Sequence, residues 1–262
     1  MQYFDSHAHF YDERFINEAE GGADALLERL TNGEISGIVN VGTDPDTCRA
    51  AILQASKYAC MYTALGIHPS DARHVVDMNA AIDDVVSLIK DPASKCVAFG
   101  EIGLDYHYPE TDKEMQHRFF REQMALAREL DLPVVIHDRD SHEDVMSVLR
   151  DFPGVRGILH SYSGSVEMAR ELIRMGYFIS FSGTLTFTNA RRPKEVAAAI
   201  PMENILIETD CPYLAPHPLR GTLNHSGNLV YTNRTLAAIR GIDEVECARI
   251  TELNARRVFG IE

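Results

Sequence analysis

The chain has 262 residues, 45% of them hydrophobic and 24% charged, which is the composition of a globular protein with a full core. Its formal charge of −14 argues against a broadly basic surface that coats nucleic acid, so contact with a polyanion would require bound cations or a local basic patch. No apolar run approaches the roughly 20 residues of a membrane helix, and no basic leader with an apolar stretch opens the chain.

Cysteine usage indicates a reducing compartment. The five cysteines are scattered and never spaced as C-x-x-C. An odd number without paired spacing argues against a disulfide scaffold and against a thiolate zinc site, and it predicts a cytosolic protein. The cysteines are Cys48, Cys60, Cys96, Cys211 and Cys247.

Short apolar runs recur along the whole chain and predict eight strands. Several of them, such as Val-Val-Ile at 134–136 and Ile-Leu-Ile at 205–207, are almost continuously apolar, as expected for parallel strands covered on both faces. The predicted strands are Gln2–His7, Ser36–Val41, Met61–Ile67, Val97–Leu104, Val134–His137, Gly157–His160, Phe178–Ser182 and Ile205–Asp210.

Helices are predicted between the strands, and three of them have capping patterns at their starts. The residues from Leu229 onward are predicted to be helical and to close the structure from outside. The capping patterns are Asp44 with Pro45, Thr111 with Glu114, and Asp140 with Glu143.

Strands that alternate with helices, without a linker or a low-complexity stretch, predict one α/β domain over residues 1–262, a (β/α)8 TIM barrel. An open doubly wound sheet is the alternative. The first strand argues against it, because it continues into DSHAHF and not into a glycine-rich phosphate loop.

Metal-binding residue types fall at the predicted strand ends, where a β/α barrel builds its site. In His7-x-His9 the period-two spacing puts both imidazoles on one face of an extended chain. Of the eleven histidines, five lie at or just past a strand end. The residues predicted to gather there are His7, His9, His68, Glu101, His137, His160 and Asp210.

Without His68, the predicted group has four imidazoles and two carboxylates. This set of nitrogen and oxygen donors suits Zn²⁺, and Mn²⁺, Fe²⁺ or Mg²⁺ are alternatives. Six ligands are too many for one tetrahedral ion, so two ions bridged by a carboxylate, at roughly 3.5–4 Å, are predicted. Two such ions beside Glu101 and Asp210 leave a site charge of about +2, which should attract an anion and lower the pKa of a bound water towards ~7.

Each of these residues also has a plainer interpretation. His137 and His160 are compatible with satisfied core histidines, His68 with a turn residue before proline, and Asp210 with a helix cap. Glu101 is harder to explain in this way. A buried unpaired carboxylate costs several kcal/mol, so this one requires a metal or a basic partner.

Four arginines on loops of the same barrel end form the local basic patch that the overall charge lacks. Arg139 follows His137 by two residues, and its planar fork suits a phosphate. Each arginine taken alone is also compatible with a solvated loop charge. The others are Arg191 and Arg192, after the seventh strand, and Arg220, after the eighth.

Eight motifs, in order along essentially the whole chain, resemble those of the TatD-related metal-dependent DNases of the amidohydrolase superfamily. The motifs are DSHAHF, GIHP, GEIGLDY, PVVIHDRD, ILHSYSG, FISFSG, LIETDCPYLAP and the RG-x-x-N segment from Arg220. Two positions depart from the family pattern. Asn224-His225-Ser226 stands where asparagine-glutamate-proline is usual, and Ser161-Tyr162 where cysteine-phenylalanine is usual.

The resemblance implies a barrel with two divalent metals and DNase-type phosphodiester hydrolysis, including 3′→5′ exonuclease action or cleavage at abasic sites in some members. It implies attack on phosphorus by a hydroxide held by two metals, with Asp210 orienting or deprotonating the water. One ion would be held by His7, His9, Glu101 and Asp210, and the other by Glu101, His137 and His160. The implied substrate contacts are His68, Arg139 and Arg220.

Two other functions compete with DNA hydrolysis. An amidohydrolase-type enzyme could cleave a small amide, lactone or phosphate ester with the same metals, and a barrel without catalysis could serve as a binding module. No G-x-S-x-G elbow and no Walker loop is present to support other chemistries. A monomer without an obligate protein partner or a membrane contact is expected, with DNA as the substrate.

Overall fold

The computed structural model describes all 262 residues. Its eight strands are parallel and hydrogen-bonded in chain order, so the predicted β/α barrel is confirmed. Each predicted strand overlaps an observed one. The strands are β1 Tyr3–Ala8, β2 Ile35–Gly42, β3 Met61–Leu65, β4 Cys96–Asp105, β5 Val134–Arg139, β6 Gly157–Leu159, β7 Tyr177–Phe181 and β8 Ile205–Ile207.

Ten α-helices lie outside the barrel or across its end. The last two occupy the segment from Leu229 onward, as predicted. The helices are α1 Glu13–Glu18, α2 Gly22–Thr31, α3 Pro45–Ala55, α4 Met78–Lys90, α5 Lys113–Glu129, α6 His142–Arg150, α7 Val166–Arg174, α8 Arg191–Ala199, α9 Leu229–Arg240 and α10 Glu244–Phe259.

The barrel closes between β1 and the residues that follow β8. Ala8 forms an isolated parallel bridge with Cys211. The backbone N–H of His9 donates to the carbonyl of Cys211 at 2.8 Å, and that of Asp210 donates to the carbonyl of His7 at 2.9 Å. The closing bonds therefore involve the backbone of three predicted metal ligands.

Asp5 joins the same two segments with its side chain. The fully buried carboxylate accepts from the backbone N–H of Thr209 at 2.9 Å and from its hydroxyl at 2.6 Å. Ser226, in the segment between β8 and α9, donates its hydroxyl to the same carboxylate at 2.7 Å. Hydrogen bonds to a charged acceptor are about twice as strong as neutral ones, so this cluster fixes β1 against the end of β8.

β1 carries one extra residue against β2 between Asp5 and Ala8, and β4 carries one against β5 between Phe99 and Ile102. Residues three apart normally face opposite sides of a strand. Phe4 nevertheless shares the barrel interior with His7, and Ala98 shares it with Glu101. The extra residue re-aims the chain, as β-bulges do beside functional sites, and so turns both polar side chains inward.

The C-terminal helix closes the barrel at the amino ends of the strands, opposite the carboxyl ends where the predicted ligands lie. Phe259 stacks on Phe4 at 6.4 Å, and the guanidinium of Arg257 lies 4.9 Å from the ring centre of Phe178. Phe4 and Phe178 each stand second in their strand. The prediction that the last helices close the barrel from outside is therefore refined, because α10 buries apolar side chains against the barrel floor.

One predicted helix start is confirmed and one is wrong. Asp44 caps α3 in a reciprocal capping box with Thr47, followed by proline at the first position. Asp112, and not Thr111, caps α5, because its carboxylate accepts from the N–H of Met115 at 2.9 Å. The Thr111 hydroxyl instead donates to the carbonyl three residues before it, at 2.7 Å.

The predicted cap at Asp140 is also wrong. Asp140 has a left-handed φ of 57°, and α6 begins after Ser141. The Ser141 hydroxyl makes no capping bond, since it donates to the carbonyl of Leu104 at 2.9 Å. The turn between β5 and α6 is thus tied to β4 rather than to its own helix.

None of the helices combines the length and the apolar character needed to cross a bilayer. All five cysteines are free thiols. The cytosolic location inferred from them stays a prediction.

Gly103 marks the closest approach of β4 to β5, so Gly103→Ala should destabilise the barrel by about 3 kcal/mol or more. Its φ is 145°, and a Cβ there would overlap the carbonyl oxygen of His137. Urea unfolding measures the loss as a lower midpoint at unchanged slope. Gly33→Ala is the matched control, because a Cβ at Gly33 meets no atom within 4 Å. Equal midpoints for the two variants would contradict the steric argument.

Candidate metal centre

The carboxylate of Glu101 lies at the centre of the predicted ligand set, and its two oxygens face different partners. Oε2 lies 3.3 Å from Nε2 of His7 and 3.8 Å from Nε2 of His9. Oε1 lies 2.7 Å from Nδ1 of His137 and 2.8 Å from Nε2 of His160. Glu101 is buried, and its two oxygens contact both histidine pairs, while His160 also stacks on His7 with the ring centres 4.1 Å apart.

Asp210 completes the group around His7 and His9. Its Oδ1 lies 3.6 Å from Nε2 of His7 and 3.4 Å from Nε2 of His9, and the two imidazole nitrogens are 3.0 Å apart. The side chain of Asp210 is 16% exposed, against 4% for Glu101. Asp210 therefore stands on the solvent side of the cluster.

Three of the imidazoles are oriented by an acceptor on their outer side. Nδ1 of His9 donates to the carbonyl of Val41 at 2.7 Å. Nε2 of His137 donates to Asp105 at 3.0 Å, and Nδ1 of His160 donates to Glu208 at 3.3 Å. An outer hydrogen bond fixes the tautomer, so the remaining nitrogen of each ring presents a lone pair to the centre.

Sequence reasoning missed Asp105 and Glu208. Glu208 is fully buried, and one of its oxygens has no partner. The sequence contains a signal for Glu208, because Glu208 stands two residues before Asp210, and residues two apart in an extended chain face the same side. Asp105 stands at the end of β4, in the GEIGLDY motif that supplied Glu101. Its contact with His137 depends on strand pairing, which the motif alone does not specify.

The donor atoms fit divalent cations. The lone pairs of His137 Nδ1 and His160 Nε2 lie 3.0 Å apart, and both face an oxygen of Glu101. Such an arrangement repels unless positive charge lies between the atoms. Burial lowers the pKa of His160, but Glu101 and Glu208 outweigh it and raise that pKa well above its usual value. The cluster thus requires positive charge, and its nitrogen and oxygen donors suit transition metals.

His68 lies beside Glu101 at the same cluster. Its Nε2 lies 3.5 Å from Glu101, close enough to form a candidate ligand triad with Glu101 and His137. However, burial lowers the pKa of His68 to about 3, so the ring is neutral. Its Nδ1 accepts from the N–H of Ser70 at 3.1 Å, which leaves the proton on Nε2.

The predicted basic patch divides into free and paired arginines. Arg139 and Arg220 take part in no salt bridge, and each lies beside an aromatic ring. Arg191 is 90% exposed and pairs with Glu195 at 2.8 Å. Arg192 is exposed and also lacks a carboxylate partner. The substrate contacts of Arg139 and Arg220 stay predictions.

The departure from the family pattern at 224–226 lies in the network that closes the barrel. Ser226 supplies a hydroxyl to Asp5, and Asn224 donates to the carbonyls of Thr209 and Tyr213 at 2.9 and 2.7 Å. His225 accepts from a neighbouring backbone N–H through Nδ1. The segment therefore anchors the residues beside Asp210, while His225 itself caps a short turn.

A parallel β/α barrel with histidines and carboxylates converging at its strand ends defines the class of metal-dependent hydrolases. The chain belongs to the TatD-related DNase family, whose model matches residues 4–260. It is 40% identical to the uncharacterized metal-dependent hydrolase YabD of Bacillus subtilis (strain 168), over 98% of this chain and 99% of YabD. It is 34% identical to the uncharacterized metal-dependent hydrolase TatD of Mycobacterium tuberculosis (strain ATCC 25618 / H37Rv), over 98% of this chain and 97% of that one.

A solved structure agrees with the fold. The crystal structure of YjjV, a TatD homologue from Escherichia coli K12, superimposes with a TM-score of 0.90 at 27% identity. The match covers 99% of this chain and 98% of YjjV. The family and the barrel are therefore established by both sequence and structure.

Asp105→Asn and Glu208→Gln should each lower the affinity for Zn²⁺ about 10- to 100-fold, because they weaken the outer hydrogen bonds that orient His137 and His160. Isothermal titration of metal-stripped protein measures this affinity. Glu110→Gln is the matched control, since Glu110 is 64% exposed and its salt-bridge partner is Arg73, which is outside the ligand set. Unchanged affinity in both variants, with the control also unchanged, would show that the outer carboxylates do not support metal binding.

Proposed function

We propose that the protein is a divalent-metal-dependent phosphodiesterase that hydrolyses nucleic acid, most simply DNA. The observation that carries this proposal is the position of Glu101, which places one oxygen toward each of two histidine pairs. Membership of the TatD-related DNase family supports it. So do the unpaired arginines at the strand ends, which favour an anionic substrate.

Two ions fit this donor set better than one, and Zn²⁺ fits by ligand type. His7, His9 and Asp210 would hold one ion and His137 with His160 the other, with Glu101 shared. When bound, the ions supply Lewis acidity to a phosphoryl oxygen and to the attacking water. Because Glu101 is buried, solvent would screen the charge of ions bound beside it only weakly.

Asp210 would orient the attacking water and take its proton. Burial raises the pKa of Asp210, but the imidazoles of His9, His7 and His160 outweigh it and lower the pKa below its usual value. The carboxylate is therefore ionised at neutral pH and able to accept a hydrogen bond. Its greater exposure relative to Glu101 puts it on the side from which water and substrate arrive.

His68 and the arginines would act on the phosphate. Neutral His68 presents an N–H beside Glu101, where it can donate to a phosphoryl oxygen as charge develops. Arg139 and Arg220 are free to bind phosphate oxygens, since neither is neutralised by a carboxylate. A neutral amide or lactone has no anionic group for these two guanidinium groups to bind.

The first experiment follows a 5′-labelled DNA oligomer incubated with metal-stripped protein to which Zn²⁺, Mn²⁺ or Mg²⁺ is returned. We expect metal-dependent shortening of the oligomer, which Glu101→Ala abolishes because it removes the shared carboxylate. Glu110→Gln should cleave at the wild-type rate. Absence of cleavage with every metal, by folded and metal-loaded protein, would exclude the nuclease and direct attention to small amides, lactones and phosphate esters.

Arg139→Gln and Arg220→Gln should each lower kcat/KM on DNA by about 10- to 100-fold, the value of a hydrogen bond to a charged group. Each should also reduce the slope of log binding constant against log salt by about one. Arg191→Gln is the matched control and should change little, because Glu195 already neutralises that arginine. Equal losses in all three variants would indicate a general charge effect instead of phosphate contacts.

A further inference from the structure

Two tyrosines remain exposed on opposite sides of the barrel mouth. Tyr108, which follows β4, is 45% exposed, and Tyr213, which follows β8, is 47% exposed. In a barrel with strand order β1 to β8, β4 lies across the barrel from β8. The tyrosines therefore flank the candidate metal centre, in which β4 supplies Glu101 and the end of β8 supplies Asp210.

Each of the two rings has an arginine beside it. The guanidinium of Arg139 lies 5.9 Å from the ring centre of Tyr108, and that of Arg14 lies 5.9 Å from the ring centre of Tyr213. Arg139 is free of carboxylates, whereas Arg14 pairs with Glu18 at 2.8 Å. Arg139 thus retains a charge for a phosphate, while Arg14 serves mainly to position a ring.

The Tyr213 ring is held in a defined position. Its hydroxyl donates to Asp12 at 2.7 Å, and Arg14 donates to the carbonyl of Pro212 at 3.2 Å. Asp12 also caps α1 by accepting from the N–H of Arg14. An aromatic ring that is fixed at its edge but half exposed offers a preformed stacking surface at low entropic cost.

We propose that Tyr108 and Tyr213 stack on the nucleobases on either side of the cleaved phosphodiester. The inference rests on the proposed function and makes it more specific, because stacking requires a substrate with bases on both sides of the bond. An aromatic platform beside a cationic group is the arrangement by which proteins bind unpaired nucleotides without reading their sequence. The bases at the cleaved position must then be unstacked from any duplex.

The test is a cycle between protein and substrate variants. The substrate is the dinucleoside monophosphate of thymidine, which has a single phosphodiester, together with analogues in which a tetrahydrofuran abasic residue replaces one nucleoside. The protein variants are Tyr108→Ala and Tyr213→Ala, with Tyr108→Phe and Tyr213→Phe as controls that keep the ring. Hydrolysis is followed by chromatography in the presence of the metal that supports cleavage.

Each alanine variant should lower kcat/KM about 5- to 150-fold, mainly through KM. Each phenylalanine variant should lose less than its alanine counterpart because it keeps the ring, and Tyr213→Phe should lose more than Tyr108→Phe because it breaks the hydrogen bond to Asp12. The loss should not add to that caused by removing the base which the tyrosine contacts. If the losses in kcat/KM from one tyrosine variant and one abasic substrate are not additive, that tyrosine binds the base which the substrate lacks. Thymidine diester cleavage that is equal in wild type and in both alanine variants would overturn stacking while the phosphodiesterase stands. No cleavage by wild type would reject both.

A binding measurement on metal-stripped protein tests stacking independently of catalysis. A short single-stranded DNA that contains 2-aminopurine changes its fluorescence when the probe base stacks, and the protein has no tryptophan to complicate related energy transfer. The change should appear with wild type and with the phenylalanine variants and should be reduced in the alanine variants. An identical change in all of them would contradict the proposal.

Discussion

A buried carboxylate surrounded by imidazole lone pairs is the constraint on which the rest of the structure depends. Glu101 cannot be tolerated in an apolar strand without positive charge nearby, which bound cations or protonated imidazoles supply. The outer bonds to Asp105, Glu208 and a backbone carbonyl exclude the simplest relief, which is rotation or tautomer change of the rings. The fold thus holds the histidines and carboxylates together in fixed orientations at a site that could bind metal.

The backbone is adapted to this demand. Extra residues in β1 and β4 turn His7 and Glu101 toward the interior, at the point where the apolar pattern of the barrel ends. Below that point the interior is filled by apolar side chains, most of them alanine or branched aliphatic, together with the ring of Phe4. The barrel is therefore divided along its axis into an apolar floor that provides stability and a polar mouth that provides chemistry, as is general for this architecture.

Much of this could be predicted from the sequence, because the signals are local. Apolar runs indicate strands, and His7-x-His9 indicates two side chains on one face. The bulges could not be predicted, since an extra residue is defined only relative to a neighbouring strand. The cap at Thr111 was wrong because a stronger acceptor, Asp112, stands next to it. Asp105 and Glu208 were missed because their role depends on distances across strands. The family, the barrel and the meeting of the seven predicted site residues could be predicted, because they follow from the order of the motifs and the positions of the strand ends.

The closing contact between β1 and the end of β8 has a consequence for the order of biosynthesis. His7 and His9 are synthesised before Asp210, and Asp210 before the Ser226 hydroxyl that secures Asp5. No nascent chain that lacks its last quarter can assemble the complete ligand set. The group formed by His7, His9, Glu101 and Asp210 therefore depends on closure of the barrel between β1 and the end of β8.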